Sequence, residues 1–267
     1  MNFSRIYAVV LRQYYLIRAS LSRLLPLFIW VAVDIVLWGF LTRYLNSVSS
    51  VSFNFVPAML GAVLFWDFLV RIMQGVTMAF FEDVWARNFL NLFSTPISII
   101  EYISGLILSS MATSSIGIVV MFVLAVVVFG FSFLTYGVMV IPFLIVLFMF
   151  GIALGIAACA LVLRLGPAAE WFIWPIPAII SPFVGVLYPV SILPQWMQFV
   201  SRFLPPSYVF ECLRAIVLGQ EASGSSLFIG AGLAAVYIFL AIAFFIFTYK
   251  HAVRTGLIAR YSAENIG

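Results

Sequence analysis

Residues 82–98 read EDVWARNFLNLFSTPIS and lie between two of the most apolar stretches of a 267-residue chain. The whole chain holds 13 Lys and Arg and 9 Asp and Glu, yet Glu82, Asp83 and Arg87 fall within six positions here. Phe81, Trp85, Phe89 and Leu92 recur at steps of four and three, so a helix would carry them on one face. Asp83 and Arg87 stand at i,i+4 in the order that supports a helix. Thr95-Pro96 then punctuates the chain. The box Ser98-Ile99-Ile100-Glu101 opens the next helix, with Ser98 and Glu101 positioned to exchange capping bonds. The stretch is read as a short amphipathic helix over 82–97 that joins two membrane spans.

Working outward, the apolar context is that of a bilayer. The chain is 65% hydrophobic and 8% charged, with a mean hydropathy of +1.21. A soluble domain carries about 25% charged residues. The apolar runs reach the ~20 residues a helix needs to cross the hydrocarbon core, without the alternation of a barrel strand. The expectation is an all-α integral membrane protein with six spans, near 25–45, 55–80, 98–129, 137–163, 171–190 and 227–249. The third run exceeds the bilayer thickness and must tilt or project.

Lys and Arg in the short connections set the expected orientation. With the N-terminus inside, the inner segments hold Arg5, Arg12, Arg18, Arg23, Arg87, Arg164, Lys250, Arg254 and Arg260. The outer ones hold only Arg43, Arg202 and Arg214. Both termini and segment 82–97 are thus expected in the cytoplasm, in a cell (inner or plasma) membrane. The net charge of +4 includes no basic cluster suited to nucleic acid. The first apolar run follows four arginines and is a full span, so no cleavable signal peptide is expected. Cys159 and Cys212 fall at opposite membrane levels and are not expected to pair.

Residues 1–24 are read as an interfacial helix, and 25–267 as the six-span domain. Phe3, Tyr7, Val10, Tyr14, Ile17, Leu21 and Leu24 form one stripe, with Arg5, Arg12 and Arg23 opposite, the pattern of a helix lying on anionic lipid or docking a soluble partner. Pro175, Pro177, Pro182 and Pro189 break the fifth run. Beyond it, Pro194, Pro206 and Gly219 punctuate two short helices within 191–219, read as re-entrant on the outer side.

No catalytic constellation is visible, and the chain is not read as an enzyme. The single histidine, His251, follows the last span, and no Cys/His cluster suggests a metal. The single lysine, Lys250, lies outside any glycine-rich phosphate loop, so no P-loop of this chain could hold ATP. Asp34, Asp67 and Arg71 fall inside spans one and two. Ionisable residues at that depth mark either a structural ion-pair cluster or a substrate or proton site. Asp67 and Arg71 are spaced to pair at i,i+4. Gly151 and Gly155 make a small-xxx-small face for helix packing.

This arrangement resembles the permease subunits of ABC exporters with an ABCG-like fold, which move drugs, lipids or glycans. Two stretches carry the resemblance: 82–98, and LPPSYVFECLRAIVLG at 204–219. The first departs from the family's Glu-x-Glu-x-Gly-Thr form, because Glu82 and Asp83 are adjacent and Arg87-Asn88 replace Gly-Thr. The resemblance implies that Glu82, Asp83, Trp85, Arg87, Asn88, Phe89 and Leu92 couple to a separate ATPase subunit. Trp85, Phe89 and Leu92 would form the docking or anchoring face, with Asp83, Arg87 and Asn88 at its polar rim. Pro205, Pro206, Tyr208, Glu211 and Arg214 would form an outer gate. It also implies a second copy of the chain and two ATPase subunits. ATP and Mg would sit on the ATPases, with no cofactor in this chain. The substrate would be apolar or amphipathic: a drug-like molecule, a lipid or a lipid-linked glycan. The alternative is an ion-coupled secondary transporter using Asp34, Asp67 and Arg71. The inverted repeats that would mark one are not seen.

Overall fold

The computed structural model describes residues 2–18, 21–48, 56–86, 88–166 and 169–256. Arg87 and Arg260 lie outside the described residues, as do the side chains of Leu21, Arg23, Leu24 and Phe89. The fold is all-helical. Helix α1 (Phe3–Arg18) precedes α2 (Leu21–Val48); a π-turn (Val56–Leu60) leads into α3 (Gly61–Trp85). Then follow α4 (Phe89–Ser94), α5 (Ile99–Phe129), a 3-10 turn (Phe133–Met139) and α6 (Val140–Leu165). Four shorter helices come next: α7 (Glu170–Ile173), α8 (Pro175–Val184), α9 (Gln195–Ser201) and α10 (Pro205–Val217). Helix α11 (Gly224–Arg254) is the last.

Among the described residues, four helical stretches are long and apolar enough to cross a membrane: Ala58–Trp85, Ile99–Phe129, Thr135–Leu165 and Gly224–Arg254. Helix α2, with 28 residues, matches them in length. The fifth expected span is different. It is split into α7 and α8, and α8 has only 10 residues, a rise of about 15 Å against a hydrocarbon core of about 30 Å. Pro175 and Pro177 restart the helix, Pro182 lies inside it, and Gly185 ends it in the left-handed region at φ 68. No single helix therefore carries residues 171–190 across.

Helix α3 is the hub, packed between α5 and α6, while α6 also packs along α11. The α3–α6 approach is close because α6 presents glycines. A Cβ on Gly155 would lie 2.8 Å from Val76 Cβ, and one on Gly151 would lie 2.9 Å from the Leu69 carbonyl oxygen. On the other side, α5 bonds to the α3 backbone: Ser110 Oγ donates to the Ile72 carbonyl at 3.0 Å, and Ser114 Oγ to that of Arg71 at 3.3 Å. Hydroxyl-to-carbonyl bonds of this kind hold helices together where lipid offers no hydrophobic driving force between them. Aromatic edges fill the rest: Phe80 meets Phe245 of α11 at 6.1 Å, and Phe150 meets Tyr237 at 5.2 Å. Both cysteines are buried and free.

Helix α10 sits at the end opposite α4, against the π-turn that leads into α3, the 3-10 turn, α6 and α11, and α8 packs on both α9 and α10. Prolines open both: Pro194 precedes α9, and Pro205 and Pro206 form the first turn of α10. Phe210 of α10 stacks beside Trp66 at 6.2 Å. Neither helix is long enough to span.

Candidate functional site

The connection 82–98 is built differently from the single helix its pattern suggests. Glu82, Asp83 and Trp85 belong to the last turn of α3, and only Phe89–Ser94 form a separate helix. Nothing in the sequence breaks α3 before Ala86. The helix closes where the Asn88 N–H donates to the Asp83 carbonyl at 3.1 Å, and Thr95 turns extended after α4. Trp85 is 50% exposed and Leu92 is buried. The Ser98–Glu101 capping box then forms as read, with Ser98 Oγ accepting from the Glu101 N–H at 3.3 Å and Glu101 accepting from the Ser98 N–H at 2.9 Å.

Asp83 is not a rim residue. It is 2% exposed. The Arg12 guanidinium of α1 donates to one carboxylate oxygen at 2.7 Å and lies 2.6 Å from the other, and the Tyr102 hydroxyl of α5 donates at 2.7 Å. Glu101, adjacent to Tyr102 in sequence, holds the start of α1 in the same way, accepting from the Asn2 N–H at 2.7 Å and pairing with Arg5 at 3.5 Å. Gln13 donates to the Ala79 carbonyl at 2.9 Å, and Val9 packs where Gly105 leaves room for it. The expected orientation of α1 is thereby corrected. Arg12 turns inward against Asp83 of α3, and Arg5, still 39% exposed, reaches back to Glu101 of α5. The aromatic stripe faces outward, with Phe3 82% and Tyr7 64% exposed. Two acids at the ends of neighbouring helices draw these arginines in, because a buried carboxylate needs a partner.

A cavity of about 790 Å³ opens between α1, α2, α3 and α5. Its long wall is one stripe of α3: Asp67, Arg71, Gln74, Met78, Glu82 and Trp85, at helical steps of three and four. These positions run about 27 Å along the helix axis. Asp34 of α2, Thr113 and Ser114 of α5, Ile17 of α1 and Trp174 close it. The intramembrane residues Asp34, Asp67 and Arg71 therefore meet around one space. The expected i,i+4 bond is absent: among the described residues, Asp67 Oδ2 and Arg71 Nε are buried without a hydrogen-bond partner. Sequence reasoning missed Gln74, Thr113 and the placement of Glu82 on this wall. The stepping from Asp67 through Arg71 and Gln74 to Glu82 was the available signal.

At the other end, Glu211 accepts from the Val190 N–H at 2.8 Å and from Arg214 at 2.7 Å, and Arg214 also donates to the Gly185 carbonyl at 2.7 Å. Burial pulls the Arg214 guanidinium below its usual range, and the Glu211 carboxylate opposes that. The Tyr208 hydroxyl donates to the Arg202 carbonyl at 2.8 Å. Pro205 and Pro206 are buried in the first turn of α10. Ser207, Tyr208 and Glu211 line a second, smaller cavity of about 340 Å³. Among the described residues, no group of His, Cys, Asp and Glu is arranged to hold a metal.

The sequence pattern of the ABC-2 type transporter family matches residues 7–218, well over half of the chain. The match begins in α1 and ends just after α10, so it takes in the turn at 82–98, the large cavity and the outer helices. A 74-residue segment is 35% identical to Nodulation protein J of Rhizobium meliloti (strain 1021). That segment spans 27% of this chain and 28% of that protein. With the extent of the family match and an all-helical, membrane-embedded fold, the chain belongs to the ABC-2 type transporter family, as a membrane permease component.

Proposed function

We propose that the chain is the membrane subunit of an ATP-driven exporter, worked by a separate ATPase subunit and paired with a second copy of itself. It moves an apolar or amphipathic substrate out of the cytoplasm or the inner leaflet by alternating access. In this reading the α4 end and both termini face the cytoplasm, and α9 and α10 lie on the outer side as the gate. The observation that carries it is the joint at Asp83. One carboxylate ties α1, α3 and α5 together immediately beside α4, between Glu82 and Trp85 of the cavity wall. A push on α4 would pass into three helices at once, two of which wall the substrate space at greater depth. Trp85, half exposed beside α4, is the docking anchor, with Asn88 at its edge, while the buried Leu92 holds α4 against the bundle.

The test is a cross-link. Asn88→Cys in the assembled complex should couple to a cysteine on the ATPase from the cytoplasmic side. Trp85→Ala should release the ATPase or uncouple hydrolysis from transport, a loss of about 2 kcal/mol of docking energy for an aromatic anchor. If Cys at position 88 stays fully reactive to water-soluble thiol reagents in the complex and never cross-links, the docking assignment is wrong.

A second reading, ion-coupled transport, draws on one observation: among the described residues, Asp67 carries a buried carboxylate oxygen with no hydrogen-bond partner. Transport that runs on a proton gradient without nucleotide would select it.

A further inference from the structure

The wall of the large cavity carries more acid than it neutralises. Asp34 and Asp67 face the same space as Arg71, and the single guanidinium can balance only one of the two carboxylates. No hydrogen bond or ion pair joins the three among the described residues, and Asp67 Oδ2 and Arg71 Nε are left unpartnered. Such groups at membrane depth cost free energy unless something completes them. The cavity is large enough for a drug-sized molecule, and apart from Glu82, about three turns along α3 from Arg71, its remaining surface is apolar or neutral: Val70, Met78, Ile17 and Trp174 beside Thr113 and Ser114. An apolar lining with a few convergent polar groups is the usual form of a small-molecule site.

We propose that this cavity binds an amphipathic cation. The cationic head sits between Asp34 and Asp67, and the apolar body lies against Val70, Met78 and Trp174. Arg71 screens the two carboxylates from each other's full repulsion in the empty state, and the surplus negative charge of Asp34 and Asp67 repels anions that would otherwise enter with the same apolar body. Gln74, one turn below Arg71, offers a neutral hydrogen-bonding edge to a polar substituent. The inference rests on the chain being a transporter's membrane subunit, but binding alone tests it. A failure of ATP coupling would leave it standing.

Two ions of the same size and shape make the probe: tetraphenylphosphonium and tetraphenylborate. Binding is measured by equilibrium dialysis on the purified chain in discs of zwitterionic lipid, with protein-free discs subtracted. Tetraphenylphosphonium should bind saturably and tetraphenylborate should not. Asp34→Asn and Asp67→Asn should each weaken the cation about tenfold or more, the scale of one lost charge contact in a partly screened site. Asp34→Glu should retain binding. Thr113→Trp keeps every charge but fills the opposite wall, and should abolish it. Only variants that elute as a single monodisperse species are scored; if Asp67→Asn does not, Asp34→Asn and Thr113→Trp decide. Equal affinity for the two ions, no saturable cation binding by the wild type, or cation affinity unchanged in Asp34→Asn and Thr113→Trp overturns the proposal.

Discussion

Asp83 carries three interactions on one carboxylate while almost fully buried, and its partner Arg12 keeps 26% of its side chain exposed. Removing one member of a buried pair strands the other, at a cost of ~3–5 kcal/mol when both are fully buried. Removing Arg12 also removes its Nε and Nη1, which are buried without a hydrogen-bond partner among the described residues, so the lower end of that range applies. Arg12→Met should therefore destabilise the purified protein by about 3 kcal/mol, read as a lower midpoint of thermal aggregation in detergent. Tyr102→Phe removes one hydrogen bond to a charged group and should cost less, about 1.5–3 kcal/mol. The double change Arg12→Met with Asp83→Leu should recover much of the loss. An unchanged midpoint in Arg12→Met would mean that the joint contributes nothing to the fold.

At the scale of elements, the packing of α3 on α6 depends on two missing side chains. A Cβ at Gly155 would meet both the Val76 side chain and, at 3.0 Å, the Met73 carbonyl oxygen. Backbone cannot yield as a flexible side chain can. Gly155→Leu should therefore force the helices apart and cost about 1–3 kcal/mol, the range for overpacking a close contact. The expected outcome is a lower yield of monodisperse protein on size exclusion. A substitution at Gly219, where an added Cβ would meet nothing within 4 Å, is not a neutral control, because its φ of 74 disfavours any side chain. Gly232, with open space around it and no positive φ, is the proper control, and Gly232→Ala should leave the yield unchanged. Equal losses at positions 155 and 232 would remove the argument for a specific α3–α6 contact.

For the whole molecule, the two ends carry different machinery: the Asp83 joint and α4 at one, and α9 and α10 with the Glu211–Arg214 pair at the other. In the proposed orientation the first end faces the cytoplasm, as the excess of Lys and Arg on that side leads one to expect. Single cysteines at Asn88 and Gln220 should then label from opposite sides of the membrane in intact cells. A membrane-impermeant thiol reagent should reach position 220 from outside and position 88 only after permeabilisation. The buried native Cys159 and Cys212 should contribute little background. Both positions labelling from the same side would overturn the two-ended arrangement.

The apolar runs of α3, α5, α6 and α11, the Ser98–Glu101 cap and the proline breaks before α8, α9 and α10 were all legible in the sequence. Each is set by residues within about a turn of one another, so local chemistry is enough. What the sequence left open was which face of each helix points inward. In a membrane span both faces are apolar, and hydropathy cannot rank them. Helix α1 shows the consequence: its stripe of Phe3, Tyr7 and Tyr14 is plain in the sequence, but only the presence of Asp83 and Glu101 on other helices gives Arg12 and Arg5 their partners. The stretch 82–98 was divided between two helices for the same reason, since the burial of Asp83 holds α3 helical through Trp85. The three charges of spans one and two could be named from their depth. That they leave Asp67 and Arg71 unbonded around a cavity depends on the separation of α2, α3 and α5, and only tertiary packing sets that distance.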